Sequence, residues 1–222
     1  MSVINVNPTR MELSKLKKRL VSAVRGHKLL KDKQDELMRQ FLILIRDNKS
    51  LRKKTEEAIM QANAHMAVAG SVMRDEVMRQ ALMLPKQELR LDVTQKNVMG
   101  VTIPVFNTEY KTNDTSDIYS YGYAFTSSEL DDAVTLLAEV LPMMLRLAEI
   151  EKSCQLIASE IQKTRRRVNA LEHIMIPRYR QTIKYITMKL DENERSATIR
   201  LMKVKDMMIK QQIELAQAKK EE

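Results

Sequence analysis

The side chains best able to do chemistry in this 222-residue chain are few and scattered. His27, His65 and His173 lie far apart in sequence, and His27 and His65 fall on a heptad grid described below, so they read as packed or rim residues rather than ligands. Cys154 is the single cysteine, which leaves neither a disulfide framework nor a thiolate metal site to be built within one chain and points to a reducing compartment. Carboxylates gather at Asp191, Glu192 and Glu194, a run of the kind that forms a solvated face. The four glycines are dispersed and no Gly-x-x-x-x-Gly-Lys-Ser/Thr run occurs, so no backbone cradle for phosphates is available. Catalysis needs a nucleophile, a base and an orienting group converging in one pocket, and no residues nominate themselves for those roles. No catalytic residue, cofactor or metal is therefore expected.

Charge is the other chemical signal. There are 38 Lys+Arg against 29 Asp+Glu, a net charge of +9. Residues 1–83 hold 17 basic and 9 acidic groups, residues 84–127 hold 4 and 5, and residues 128–222 hold 17 and 15, so the excess lies largely in the first segment. Two clusters stand out: Lys15 with Lys17, Lys18 and Arg19, and Arg52 with Lys53 and Lys54. Either could meet phosphate or an acidic protein surface. Aromatic residues are not interleaved with them, which removes the stacking platform used by single-strand binders.

The elements that must position these groups are helical. Only 4 Gly and 5 Pro are present and there is no Trp, while Ala, Leu, Met, Glu, Gln, Lys and Arg run over long stretches. Between Pro8 and Pro85 there is no proline. Stepping by seven gives one column of Leu13, Leu20, His27, Gln34, Phe41, Asn48, Thr55, Ala62 and Ala69, and a second of Leu16, Ala23, Leu30, Leu37, Leu44, Leu51, Ala58, His65 and Val72. The second is apolar at every position but His65, the seam of a coiled coil. Polar residues in the first column either fix register or form a rim. A third column of Val24, Met38, Ile45, Ile59, Met66 and Met73 widens the stripe and predicts more than one neighbour in places.

The last segment repeats the pattern. Ala133, Val140, Leu147, Cys154, Ile161, Val168 and Met175 form one column, and Leu136, Met143, Ile150, Ile157, Thr164 and Leu171 the other, which makes Cys154 a small buried hydrophobe. After Pro177 the stripe resumes one residue out of step at Ile183, Ile186, Leu190, Ala197, Leu201, Val204, Met208 and Leu215, which predicts a bend or a change of packing at the proline. Residues 84–127 hold six of the nine aromatics: Phe106, Tyr110, Tyr119, Tyr121, Tyr123 and Phe125. There Glu88–Lys96 alternates, Asn97–Gly100 supplies turn chemistry and Val101–Phe106 is β-branched, predicting a short β-hairpin with Pro104 on a sheet edge. Residues 113–117 read as a loop, and Ser127 or Ser128, with Glu129 and Asp131 behind, as the cap of the final helix.

The expected fold is all-α: an N-terminal arm (1–83) and a C-terminal arm (128–222) packed as a long antiparallel two-helix coiled coil, with a small middle module (84–127) containing the hairpin. Arms of roughly 75 to 90 residues would reach on the order of 110 to 135 Å. The N-terminus lacks a basic region followed by an apolar run, and no stretch approaches the roughly 18 apolar residues of a membrane span, so a cytoplasmic chain is expected, held at a membrane only through a partner.

Two stretches carry a resemblance. Residues 7–20 (NPTRMELSKLKKRL) run into 25–37 (RGHKLLKDKQDEL); residues 163–172 (KTRRRVNALE) continue through Ile176, Pro177 and Arg178 to 190–195 and 201–205. Together they closely resemble the D subunit of V-type and A-type rotary ATPases, the central rotor shaft, over nearly the whole chain and on its bacterial branch. The resemblance implies a non-catalytic part. The paired arms would enter the central cavity of the catalytic hexamer of A and B subunits. The F subunit would bind the shaft outside it, and the funnel-like d (or C) subunit would join the far end to the membrane ring. Nucleic acid and direct membrane insertion are not implied. The expected partner surfaces are Arg10, Lys15, Lys18 and Arg19 facing acidic groups of the hexamer, and Arg165, Arg166, Arg167, Asn169 and Glu172 as a partner surface, a turn-defining polar layer or a solvated face. Met202, Met207 and Met208 would give soft contact near one end, although Met208 also fits the seam. The competing reading is a basic coiled coil that scaffolds other helices or binds nucleic acid.

Overall fold

The computed structural model describes residues 6–112, 114–122, 124 and 126–221, with backbone alone at 115 and 211–221. Asn113, Tyr123, Phe125 and the Leu215 side chain lie outside the described residues, and with them part of the aromatic cluster, the loop start and the last seam position. Helix α1 runs from Arg10 to Val72 and α2 from Asp75 to Leu82. Strands β1 (Leu89–Val98) and β2 (Val101–Tyr110) follow, then a short 3₁₀ turn at Thr115–Ile118. Helix α3 (Ser128–Ala170) leads through a π turn (Leu171–Met175) into α4 (Ile176–Glu221). The expected all-α fold with a hairpin is what the chain forms.

Local chemistry sets the helix ends. Thr9 Oγ1 accepts a hydrogen bond from the Glu12 N–H at 3.3 Å, so a Thr-x-x-Glu start opens α1. The start of α3 differs from expectation. Ser127 precedes it and its carbonyl accepts from the Leu130 N–H at 3.1 Å, but Ser127 Oγ is buried without a partner among the described residues. In the first turn the Asp131 side chain is engaged from outside the helix by Tyr121, whose hydroxyl donates to Asp131 Oδ1 at 2.7 Å. Pro142 sits inside α3 without ending it.

The chain divides into two compact units, residues 1–32 with 165–222 and residues 33–164. In the second unit α1 and α3 run antiparallel, as the ion pairs Lys33–Glu160 (3.5 Å), Arg52–Glu151 (3.8 Å) and His65–Glu129 (3.1 Å) require. The two expected seam columns of α1 are buried or half-buried from Leu13 to Ala69, while Val72 is exposed. Leu37 and Ile157 are fully enclosed, and Thr55 is satisfied by donating to the Leu51 carbonyl at 2.9 Å. The third column behaves differently along its length. Val24, Met38 and Ile45 are exposed, Ile59 is half-buried, and fuller cover comes where α2 folds back, with Ala69, Met73, Ala81 and Leu130 forming a cluster joined by Met66, Val77 and Met78.

The hairpin is longer than its β-branched run suggests, with ten residues paired on each strand from Leu89↔Tyr110 to Val98↔Val101. Its two-residue turn, Met99-Gly100, has φ of 53° and 84°, which the twist of tight hairpins demands. Asn97 Oδ1 accepts from the Gly100 N–H at 2.9 Å. Val101 and Ile103, beside the turn, pack on Leu37, Phe41 and Leu44 of α1 and on Leu156, Ile157 and Ile161 of α3. Both strands of a two-stranded sheet are edges, which accommodates Pro104. Met99 is strained in a left-handed conformation, so Met99→Asn, restoring the favoured Asn-Gly pair, is expected to stabilise this unit by about 0.5–1 kcal/mol. An unchanged denaturant midpoint would contradict this.

Tyr121 gives the fold a pH dependence. It stacks edge-on against Tyr119 with centroids 6.2 Å apart, and burial, then its bond to Asp131, push its phenol pKa well above the usual value of 10.0. A raised folded-state value means that this contribution is intact below about pH 10, where the unfolded phenol is still protonated, and is lost as pH climbs toward the folded value. Alkaline unfolding monitored by circular dichroism should therefore be less steep above pH 10 in Tyr121→Phe, at a cost of about 1 kcal/mol at pH 7.

Candidate functional site

The π turn accounts for the phase change in the last segment. A π turn accommodates one residue more than an α turn, and the Ile176 N–H bonds the Leu171 carbonyl five residues back. The seam therefore keeps facing α1: Val168 is 6% exposed before the turn, and Ile176 (8%) and Ile186 (0%) are buried after it. Met175, expected on the seam, is 37% exposed, because the extra residue hands its place to Ile176. Pro177 stands two residues past the turn, inside a continuing helix.

In the first unit α1 and the returning helix are again antiparallel, with Arg10 paired to Glu194 and His27 Nε2 3.2 Å from Glu172 Oε2. This pairing brings two basic stretches together. Residues 13–31 and 165–184 hold 13 Lys and Arg against one acid, Glu172, and all but Arg178 are exposed. By units, the charge is 22 basic and 10 acidic in the first, +12, and 16 and 19 in the second, −3. The excess counted by sequence segment is thus a property of one folded unit. Such a collar repels itself, and a partner bearing acidic groups relieves that cost.

The individually expected residues separate within this collar. Lys18, Arg19, Arg165, Arg166 and Arg167 are exposed and have no ion-pair partner among the described residues, and Asn169 is exposed beside them. Arg10 and Lys15 are engaged within the chain, with Glu194 and with Glu12 (2.8 Å) respectively. Glu172 is tied to His27. Sequence reasoning missed Arg25, Lys28, Lys31, Arg178, Arg180 and Lys184, which join the collar only once the helices pair.

Beyond Glu194 no α1 residue remains to cover α4, since α1 begins at Arg10. The seam predicted at Ala197, Leu201, Val204 and Met208 is exposed, at 70% for Leu201, so the reading of Met208 as core is corrected. Met202 (61%) and Met207 (58%) are exposed too. Ile199, Met202, Met207 and Ile209 lie off the seam, so the tail is apolar on more than one side, the pattern of a helix enclosed by neighbours.

The second unit offers no converging catalytic set among its described residues. A cavity of about 650 Å³ between the hairpin base and α3 is lined mainly by apolar residues, among them Leu89, Tyr110, Val134, Leu141 and Met144. The donor atoms of His65, Glu129 and Asp132 lie within 4.8 Å of one another, but the His65–Glu129 bond occupies two of them, and the positive end of α3 beside them disfavours a cation. Cys154 is half-buried rather than buried, and burial, then Glu151, raise its thiol pKa, which disfavours a reactive thiolate. Among the described residues no helix is long and apolar enough to cross a membrane.

Fold and surface together define a long-helix protein with an appended hairpin, a basic collar and an uncovered apolar tail. The sequence matches the family of ATP synthase D subunits over residues 12–206, and the chain belongs to that family. It is 60% identical over 211 residues to the V-type ATP synthase D subunit of Acetivibrio thermocellus, covering 95% of each chain. It is 57% identical to that of Clostridioides difficile, covering 96% of each, and 52% identical to that of Thermoanaerobacter pseudethanolicus, covering 95% of this chain and all of the relative.

Proposed function

We propose that the chain is the central rotor shaft of a V/A-type ATPase, a non-catalytic subunit that passes torque between a catalytic hexamer of A and B subunits and a membrane ion-translocating ring. The observation that supports it best is the pairing of a +12 unit with an apolar tail uncovered on several sides. A helix bare all round fits inside a sleeve, and the collar fits a sleeve mouth lined with acidic groups. In this reading the arms 1–83 and 128–222 form the shaft, and the module 84–127 stands on it. The F subunit binds outside the sleeve, and the d (or C) subunit joins the shaft to the ring.

Torque transfer needs a shaft that resists twisting, which the interlocked seam supplies, and a bearing without fixed directional bonds. Met202 and Met207 suit that bearing because thioethers pack softly and adapt to changing neighbours. Rotation of an asymmetric shaft would then present a different face to each catalytic interface in turn. Co-expression with A, B and F subunits tests the reading: one ATP-hydrolysing complex containing this chain is expected. Truncation after Ser196 should leave F bound and uncouple the hexamer; full coupling without the tail would overturn the assignment.

The collar also meets the charge requirement of a nucleic-acid binder, and Tyr185 beside it is 44% exposed. A salt-sensitive gel shift at low protein concentration, without co-purification of A, B and F, would favour that second reading.

A further inference from the structure

We propose that the π turn Leu171–Met175 is a torsional soft point built into the first unit, able to shift between π and α pairing while the seam on either side stays closed. The inference deepens the rotor reading and rests on it for its use, though not for its existence. Several independent observations converge on the turn. Its hydrogen bond spans five residues, from the Ile176 N–H to the Leu171 carbonyl. Pro177 has no N–H, so it cannot serve the Glu172 carbonyl in a π pattern or the His173 carbonyl in an α pattern. Four consecutive residues, Glu172, His173, Ile174 and Met175, are exposed and only Leu171 of the turn is half-buried, so this stretch is packed less closely than its flanks. It is bracketed by Val168 and Ile176, both buried, and by Thr182 and Ile186 at 0% exposure. Weak backbone bonding and sparse packing between closed flanks are the physical conditions for local opening.

The cross-helix tie at the turn among the described residues is His27–Glu172, at 3.2 Å. Relative to a continuous heptad the turn amounts to one extra residue. Removing one residue would bring Ile176, Ile183, Leu190, Ala197 and Val204 into the column of Ala133, Val140, Cys154, Ile161 and Val168. An uninterrupted heptad was thus open to this chain, and the extra residue adds compliance without adding buried contact. In a shaft, a soft point within a stiff coil lets angle lag behind load and smooths torque between discrete catalytic steps.

Hydrogen exchange on the full chain tests this without any partner. Amides 174–176 and 178 are expected to exchange about a hundredfold faster than those at Val168 and Ile186. Deleting Ile174 should bring that difference to within about threefold with an equal or higher melting temperature, since the seam becomes continuous. Pro177→Ala keeps the extra residue but restores a donor, and should slow exchange by about tenfold. Turn amides as slow as their flanks in the native chain would overturn the proposal. So would a deletion variant that melts more than about 5 °C lower, because the residue would then be needed for packing. If the exchange pattern holds while assembly with A, B and F fails, the rotor reading falls and the soft point stands.

Discussion

Arg165, Arg166 and Arg167 changed together to glutamate are expected to weaken association with the A and B subunits on the order of a hundredfold at low salt. All three are exposed and without an ion-pair partner among the described residues, so the isolated chain loses no internal ion pair and its helicity should be unchanged. The reversal converts part of the 13-cation collar into an acidic edge next to Glu172, and the effect should shrink as ionic strength rises. Binding measured by surface plasmon resonance at two salt concentrations separates the outcomes. A loss that does not depend on salt would point to altered packing, and undiminished binding would remove the collar from the interface.

Leu37→Ala should be the most damaging single change in the second unit, costing about 3 kcal/mol. Leu37 is 0% exposed where α1, α3 and the hairpin meet, against Val101, Ile157 and Ile161. Truncation opens a cavity bordered by three elements, and the hairpin loses its main anchor. The melting temperature of this unit should fall by roughly 6–12 °C, with earlier proteolysis in 89–110. A loss below about 1 kcal/mol would mean that the hairpin tip closes over the void.

These expectations divide along the line between what periodicity carries and what only pairing reveals. The seam of α1 is legible because an apolar residue every 3.5 positions has one structural use, and columns from Leu13 and Leu16 are covered as that demands. The hairpin is legible at its turn, where Asn97 and Gly100 supply chemistry that few other structures need. Its length is not, since β1 is exposed along most of its course and Glu88–Lys96 lacks a strong apolar face. The one-residue phase change is visible in sequence, but its agent is not: a proline draws attention to itself, while the π turn before it has no residue signature.

The collar is the least legible feature. Counting along the chain puts most of the excess in 1–83, because a linear count cannot know that 13–31 will lie against 165–184. Arg178, Arg180 and Lys184 look ordinary until the His27–Glu172 and Arg10–Glu194 pairs set the alignment of the two helices. The bare tail was hidden for the opposite reason. Its seam residues follow the heptad rule, and only the start of α1 at Arg10 shows that no residue of that helix reaches them.

The central claim is that this chain turns inside a catalytic sleeve, and rotation can be watched directly. With the A and B hexamer fixed to a surface and a bead attached at Val93→Cys, which is 53% exposed on the hairpin, ATP should drive unidirectional rotation of the bead. A bead that stays fixed while the same complexes hydrolyse ATP would contradict the account.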